Sequence, residues 1–221
     1  MTINDFFHWL ILVSVVWAIS ALLFTWRRTR AYGKRELYAA QAGNQVTGAF
    51  FAFTVAMLPW AKESIRENLF GYAMGIAYHI GTFTAIALLA AYLVPALREP
   101  LNHTIFLYFL IPFALAFGIV GGILLLIKRT INPVLRAISS KDDYIANALT
   151  TAFGVLALAT LLLSRMWITR LWFVSAIILF TYLPLSKLRH CLFFFITRYH
   201  FGAFFGRRGC MPPSKNGRQY A

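Results

Sequence analysis

Acidic residues are scarce in this chain. Its 221 residues include 7 Asp and Glu against 21 Lys and Arg, and only 13% of them are charged, about half the share of a typical soluble domain. None of the acids falls in the five long apolar runs, which cover about 7–25, 69–97, 104–127, 145–164 and 171–189. Because ionisable groups inside membranes mark ion and proton paths, a proton pump or cation channel within this chain is disfavoured.

Cysteine is also rare, with Cys191 and Cys210 alone. Neither stands in the C-x-x-C-H pattern of covalently attached haem, and two thiols cannot hold an iron–sulfur cluster by themselves. Both lie on the side that we predict to be cytoplasmic, where structural disulfides are rare. We therefore expect neither thiol to carry function.

Apolar residues dominate, at 60% of the chain. The runs approach or exceed the roughly 20 residues needed to cross a bilayer, so we predict an all-α integral membrane protein with five transmembrane helices. The first run lacks the basic region and cleavage site of a signal peptide and is expected to remain. A short apolar stretch, Gly48–Leu58, is predicted to lie in the membrane interface, with a hairpin tucked into the bundle as the alternative.

The basic residues are distributed unevenly around these runs. If alternate connections share one side, that side holds 18 of the 21 Lys and Arg residues, and the other keeps Arg98, Arg165 and Arg170. The positive-inside rule then places the N-terminus outside and the C-terminus in the cytoplasm, in a cell inner (cytoplasmic) membrane. The formal charge of +14 therefore does not imply nucleic-acid binding.

We expect four parts along the chain. They are a first transmembrane helix (1–26), a cytoplasmic loop with the interfacial segment (27–68), a four-helix membrane core (69–190) and a basic cytoplasmic tail (191–221). Close helix packing is expected at Gly118, Gly121 and Gly122. The sequence Ser139–Asp143 supplies N-cap candidates for the fourth span.

Two of the five histidines, His79 and His190, stand at similar distances from the outer boundaries of their spans. His79 is 18 residues from Leu97, or roughly 27 Å of helix, and His190 is 19 residues from Leu171, or roughly 28 Å. Both imidazoles should therefore reach the same depth near the cytoplasmic face, as required for two axial ligands of one haem between facing helices.

Neighbouring residues fit that prediction. Gly75 and Gly71 precede His79 on its own helix face and leave room for a flat macrocycle. Lys187 and Arg189 flank His190 and can meet the haem propionates. In the simpler alternative, His79 only packs and hydrogen-bonds, and His190 is a solvated residue at a helix end.

Three motifs resemble the nitrate reductase gamma family of b-type cytochromes over roughly residues 65–200. They are Tyr78-His79-Ile80-Gly81, the exit Leu183-Pro184-Leu185-Ser186-Lys187-Leu188-Arg189-His190, and Asn132-Pro133-Val134-Leu135-Arg136. The segment Met57-Leu58-Pro59-Trp60 is similar to the DsrM branch, found in the Dsr membrane complex of sulfur metabolism. Members with the full pattern carry two haems, but Leu89 and Trp172 stand where the outer ligands would be. The resemblance therefore implies one haem b, on the cytoplasmic side.

The resemblance also implies a function. Such a subunit relays electrons between quinone or quinol, menaquinone or a similar quinone, and a cytoplasmic iron–sulfur subunit resembling the catalytic subunit of heterodisulfide reductases. Other membrane and periplasmic redox subunits would complete the complex, and the basic tail would dock an acidic partner or anionic lipid. The alternatives are a haem-free membrane anchor or assembly subunit and a small-solute transporter.

The other three histidines carry less weight. His8 and His103 both fall near the outer face, where a separate outer site between them is conceivable. His103 also falls near the position of a lysine that contacts quinone in the family. His200 is expected to be solvated in the tail.

Overall fold

A computed structural model describes residues 3–33, 38, 40–61, 67–94, 96–97 and 105–213. All regular structure in these residues is helical. The α-helices among them are α1 (Ile3–Ala31), α2 (Gln45–Phe53), α3 (Leu69–Leu93), α4 (Ile105–Ile131), α5 (Pro133–Ile138), α6 (Lys141–Leu163), α7 (Met166–Tyr182) and α8 (His190–Arg207). Short 3-10 turns follow α2 at Val55–Met57 and Pro59–Ala61, and lie between α7 and α8 at Leu183–Leu185 and Lys187–Arg189.

Five of these helices, α1, α3, α4, α6 and α7, are long and apolar enough to cross a membrane. Their candidate spans are Phe6–Ala31, Leu69–Leu93, Leu107–Ile131, Lys141–Leu163 and Met166–Leu185. The all-α class and the five expected apolar helices are thus confirmed in the described residues, and they indicate a multi-pass membrane protein.

Polar residues set several helix boundaries, as their side chains satisfy backbone groups at the ends. Asn132 precedes α5 and its side chain accepts a hydrogen bond from the Leu135 amide at 3.0 Å. Ser140 is the N-cap of α6, which confirms one of the expected caps, and its amide donates to the Asp143 carboxylate at 2.8 Å. Ser164 ends α6 in the left-handed conformation, with φ at 49°.

The chain forms two compact units. The first contains residues 1–21 and 70–188, and the second contains residues 22–69 and 189–221. The loop 27–68 and the tail 191–221, which the sequence predicts to be separate parts, belong to the same unit. The division also falls within α1.

The first unit is organised around one apolar core. Its largest fully buried side chains are Ile11, Leu89, Leu115, Phe153 and Trp172, which come from α1, α3, α4, α6 and α7. Every candidate span therefore contributes to the same core.

In the second unit, α2 packs against the C-terminal half of α8. The buried residues of α2 are Gly48, Ala49 and Ala52, and those of α8 are Gly202 and Gly206. Most of the stretch Gly48–Leu58 is thus helix and 3-10 turn, and its helical part packs on the segment predicted to be a tail.

Candidate functional site

Helix α3 carries His79 and is held against α4 by glycines. A Cβ added to Gly81 would lie 2.5 Å from the Gly118 Cα, and one added to Gly121 would lie 2.8 Å from the Met74 carbonyl oxygen. Such contacts are possible only without side chains. The expected close packing at Gly118 and Gly121 is therefore confirmed, and it also holds for Gly122, where an added Cβ would meet the Tyr78 ring at 2.9 Å.

Tyr78, next to His79, ties α3 to α6. Its hydroxyl forms a hydrogen bond with the Thr150 hydroxyl and lies 3.4 Å from the Asn147 carbonyl oxygen. Thr150 also donates to the Ala146 carbonyl at 2.7 Å. These bonds fix the rotation of α3 about its axis, and with it the direction in which His79 points.

The His79 imidazole is bound to its own helix. Its Nδ1 atom lies 2.7 Å from the Gly75 carbonyl oxygen. Since that carbonyl only accepts hydrogen bonds, Nδ1 carries a proton, and in the neutral imidazole Nε2 then carries the lone pair. A hydrogen bond of this kind is what orients and tunes histidines that ligate metals.

Gly75 lies one turn before His79 in open space. A Cβ added there would meet no atom within 4 Å, in contrast to the closed positions Gly81 and Gly118. The surface of α3 beside the imidazole is therefore accessible to a planar group. The ring of Phe83, 6.2 Å from that of His79, borders it on the other side.

His190 lies in a different local structure from the one that the sequence predicts. The expectation of one continuous helix up to residue 189 was wrong, because α7 ends at Tyr182 and two 3-10 turns precede α8, which begins at His190. A 3-10 turn rises about 2.0 Å per residue, so the depth calculated for His190 at about 1.5 Å per residue does not apply. Pro184, which cannot continue a helix, is the signal in the sequence.

His79 and His190 belong to different units. His79 is an exposed side chain on α3 of the first unit. His190 is an exposed side chain at the first position of α8, and Arg189, also exposed, is the residue that precedes this helix. The matching depth of the two imidazoles remains a prediction.

Lys187 is engaged with an acidic residue 44 positions earlier in the chain, a pairing that the sequence did not predict. Its ammonium forms an ion pair with the Asp143 carboxylate, which also lies 3.2 Å from the Arg129 guanidinium. Asp143 thus joins the ends of α4, α6 and the turn after α7. The proposed contact of Lys187 with a propionate would compete with this pair.

The side chain of the neighbouring Asp142 holds the same turn by accepting a hydrogen bond from the backbone of the turn. It accepts a hydrogen bond from the Lys187 amide at 2.7 Å and one from the Tyr182 hydroxyl. Because α6 begins at Lys141, both acids lie in its first turn, at the positive end of the helix dipole. The local pattern at Ser139–Asp143 indicates only N-caps, and the basic residues of the nearby connections were the signal that could have revealed the pairing.

The positions of the missing outer ligands lie in the core. Leu89 is 2% exposed and Trp172 is fully buried, both in the same apolar cluster. The Trp172 ring packs edge-on against Tyr92 at 5.3 Å and close to Phe153 at 6.0 Å. Its indole N–H is buried and finds no hydrogen-bond partner among the described residues. Packed side chains thus fill the region where a second haem would need space.

A cleft of about 460 Å³ opens between α3, α4 and α6. Its lining includes Tyr92, Pro112 and Ser164. Tyr92 is 13 residues from His79 on α3, or roughly 20 Å along the helix axis. The cleft is therefore separate from the position of the candidate ligand.

The other histidines do not form a second site in the described residues. His8 packs edge-on against Phe173, with ring centroids 5.6 Å apart. His200 is exposed beside Tyr199. His103 lies outside the described residues. A pairing of His8 with His103 stays a prediction.

Cys191 follows His190 directly. Desolvation raises the pKa of its thiol, so the neutral form dominates at physiological pH.

Comparison of the chain with protein-family models, with curated proteins and with solved structures finds no match.

Proposed function

We propose that the chain is a membrane cytochrome b subunit that relays single electrons between the quinone pool and a cytoplasmic iron–sulfur subunit of a respiratory complex, in sulfur metabolism. The proposal rests on two histidines in the sequence and on the resemblance to the nitrate reductase gamma family. The five apolar helices supply the membrane setting that it requires.

One observation carries the proposal. The Nδ1 atom of His79 is held by the Gly75 carbonyl at 2.7 Å, which leaves the lone pair on Nε2, and Gly75 itself has open space above it. An oriented neutral imidazole beside an open surface is what an axial ligand of a haem needs.

His190 would be the second axial ligand. It opens α8, whose first amides form the positive end of the helix dipole, and Arg189 precedes it. Both features favour negatively charged propionates nearby. Lys187 would join them only by exchanging its pair with Asp143.

The haem would supply a one-electron couple, and the protein would set its potential through ligands, hydrogen bonds and burial. His79 and His190 would hold the iron, Gly75 would leave room for the macrocycle, and the apolar helices would exclude water. The basic connections and tail would face the cytoplasm and attract the more acidic iron–sulfur subunit, resembling the catalytic subunit of heterodisulfide reductases. Menaquinone or a similar quinone would exchange electrons from the lipid phase, and other membrane and periplasmic redox subunits would complete the complex.

A haem-free membrane anchor or assembly subunit is the second candidate. The pairing of Lys187 with Asp143 favours it, because one of the two proposed propionate partners is already neutralised. In this case the charge cluster at the ends of α4 and α6 would only stabilise the bundle.

The visible spectrum of the natively purified chain, with its haem content per polypeptide, tests the proposal. We expect one low-spin haem b, extractable with acidified organic solvent. A content near two would contradict the single site and favour an outer pair of His8 and His103. A content near zero in folded protein would favour the anchor.

A further inference from the structure

In the second unit, α2 and the turns that follow it (residues 45–61) pack against α8 (residues 190–207) along a seam of glycines. These residues are called the α2–α8 pair. A Cβ added to Gly202 would lie 2.6 Å from the Gly48 carbonyl oxygen, and one added to Gly206 would lie 2.5 Å from the Asn44 carbonyl oxygen. The two backbones are thus in direct contact, as in membrane helix pairs with small residues four apart.

The α2–α8 pair supplies hydrogen-bond partners for the backbone groups at its own helix ends. At the start of α2, the Asn44 side chain accepts from the Val46 amide at 2.8 Å. At the end of α2, Arg198 reaches across from α8, where its Nε donates to the Ala52 carbonyl at 2.7 Å and its Nη2 to the Ala56 carbonyl at 3.0 Å.

The C-terminus of α8 is bonded in the same way. Its Arg207 carbonyl accepts from the Ala42 and Gly43 amides, both at 2.9 Å. Helix ends in water are completed by caps or by solvent, whereas a lipid environment requires internal partners for them. The bonding of this helix pair meets that requirement.

Large apolar side chains project from the surfaces that face away from the seam. On α2, Val46 is 75% and Phe50 is 70% exposed, and Phe195 on α8 is 59% exposed. Phe53 stacks on Phe195, with centroids 6.3 Å apart. A soluble surface rarely presents so many large apolar side chains together.

Neither helix is suited to cross the bilayer. The apolar stretch Gln45–Met57 rises roughly 20 Å, short of the roughly 30 Å of hydrocarbon. α8 has 18 residues but contains Arg198 near its middle. At its C-terminal end the Arg208 guanidinium lies 3.6 Å from the centre of the Phe204 ring, a pairing suited to the boundary between lipid and water.

We propose that the α2–α8 pair lies in the interface of the bilayer, with Val46, Phe50 and Phe195 in the acyl region and Arg208 at the lipid phosphates. Lipid is what covers these apolar side chains, because the helices before and after α2 in the chain are candidate spans. The α2–α8 pair also provides partners for its own helix ends, as lipid requires. The inference does not depend on a haem.

Spin labels test how deeply the α2–α8 pair lies in the bilayer, with the full chain reconstituted in phosphatidylcholine–phosphatidylglycerol vesicles. In a background of Cys191→Ser and Cys210→Ser, Phe50→Cys is labelled, with Phe113→Cys on α4 as the control in lipid and Tyr38→Cys, 90% exposed between the first two spans, as the control near water. We expect the Phe50 label to collide with oxygen rather than with a water-soluble nickel chelate, at about 5–10 Å below the phosphates. Val46→Cys should give the same result.

A Phe50 label as accessible to nickel as the Tyr38 label would overturn the proposal and point to a surface that a partner protein covers. A photoactivatable phospholipid provides a second measurement on the unsubstituted chain. It should attach to peptides within residues 45–61, and attachment confined to the five candidate spans would contradict the interfacial placement.

Discussion

The Nδ1 atom of His79 lies 2.7 Å from the carbonyl oxygen of Gly75, four residues earlier in the same helix. This bond selects the tautomer with a lone pair on Nε2. Gly75 thus has two effects, since its carbonyl orients the imidazole and its missing side chain keeps the adjacent surface open. Substitutions at the two positions can separate these effects from the packing of the bundle.

The histidine substitutions test ligation directly. His79→Ala and His190→Ala should each remove the low-spin haem spectrum from the purified chain, because a six-coordinate haem loses one of its two axial ligands in either variant. Electron transfer from quinol to the soluble partner should fall with them, even where the complex assembles. The measurement is the haem content per polypeptide and the reduced-minus-oxidised spectrum.

His8→Ala, His103→Ala and His200→Ala are the matched controls and should retain the spectrum. The rings of His8 and His200 each pack against an aromatic neighbour, so these two substitutions remove a packing contact and no ligand. A normal low-spin spectrum in His79→Ala would show that another residue is the ligand.

Two glycines on the same helix distinguish space for a cofactor from space for a neighbouring helix. Gly75→Leu should leave the thermal stability of the haem-free chain nearly unchanged, because its surroundings are open, but should reduce haem content strongly. Gly81→Ala should destabilise the bundle by about 1–3 kcal/mol, since its Cβ would overlap the Gly118 backbone.

The smaller change Gly75→Ala serves as the control for backbone effects. It should retain the fold and can stabilise α3 by about 0.5–1 kcal/mol. If Gly75→Leu binds as much haem as the unsubstituted chain, the open face of α3 is not where the macrocycle lies. Denaturation in detergent and haem titration give the two quantities.

Restoring the outer ligand positions should not create a second haem site. In Leu89→His with Trp172→His, two imidazoles would replace side chains that are almost fully buried in the common core. Loss of a buried Trp costs about 3–5 kcal/mol, and no space for a macrocycle replaces it. We expect lower stability and no gain in haem content.

Trp172→Phe is the corresponding conservative variant. It removes an indole N–H that has no partner among the described residues while retaining a ring against Tyr92, so its effect on stability should be small. A second haem in the double variant would contradict the closed core.

Membrane topology is a further prediction. A reporter fused after Ala221 should be active only in the cytoplasm, and one inserted near Asn102 only outside, because 18 of 21 basic residues would then lie in the cytoplasm. Activity of both reporters on the same side would mean that the number of crossings is not five.

Hydropathy predicted the spans because a long apolar run has few alternatives to a membrane helix. The boundaries also followed from residues with a local effect, as Ser140 does at the start of α6. The region after Tyr182 was harder, since the apolar run continues to residue 189 while Pro184 ends the α-helix within it. The expected run, 171–189, is therefore displaced toward the C-terminus relative to the observed helix, Met166–Tyr182.

Contacts between residues far apart in the sequence were not predictable in the same way. The pairing of Asp143 with Lys187 and the approach of Gly48 to Gly202 depend on the tertiary arrangement, which no local pattern specifies. The glycines of α8 stand four residues apart, a spacing known from helix pairs, but nothing in this spacing identifies α2 as the partner. For the candidate site, the residues were predicted, whereas the hydrogen bond from His79 to Gly75 required coordinates.

The glycine contact between α2 and α8 also has a consequence for the order of biosynthesis. Gly48 and Gly202 are separated by 202 − 48 = 154 residues, and α3 to α7 are synthesised between them. At about 5–20 residues per second, α2 waits roughly 8–30 s for its partner. During this interval its exposed Gly48 and phenylalanines must be sheltered by lipid or by a chaperone. The pairing is thus completed only late in synthesis, and a ribosome stalled before α8 would leave α2 as a recognisable mark of an unfinished chain.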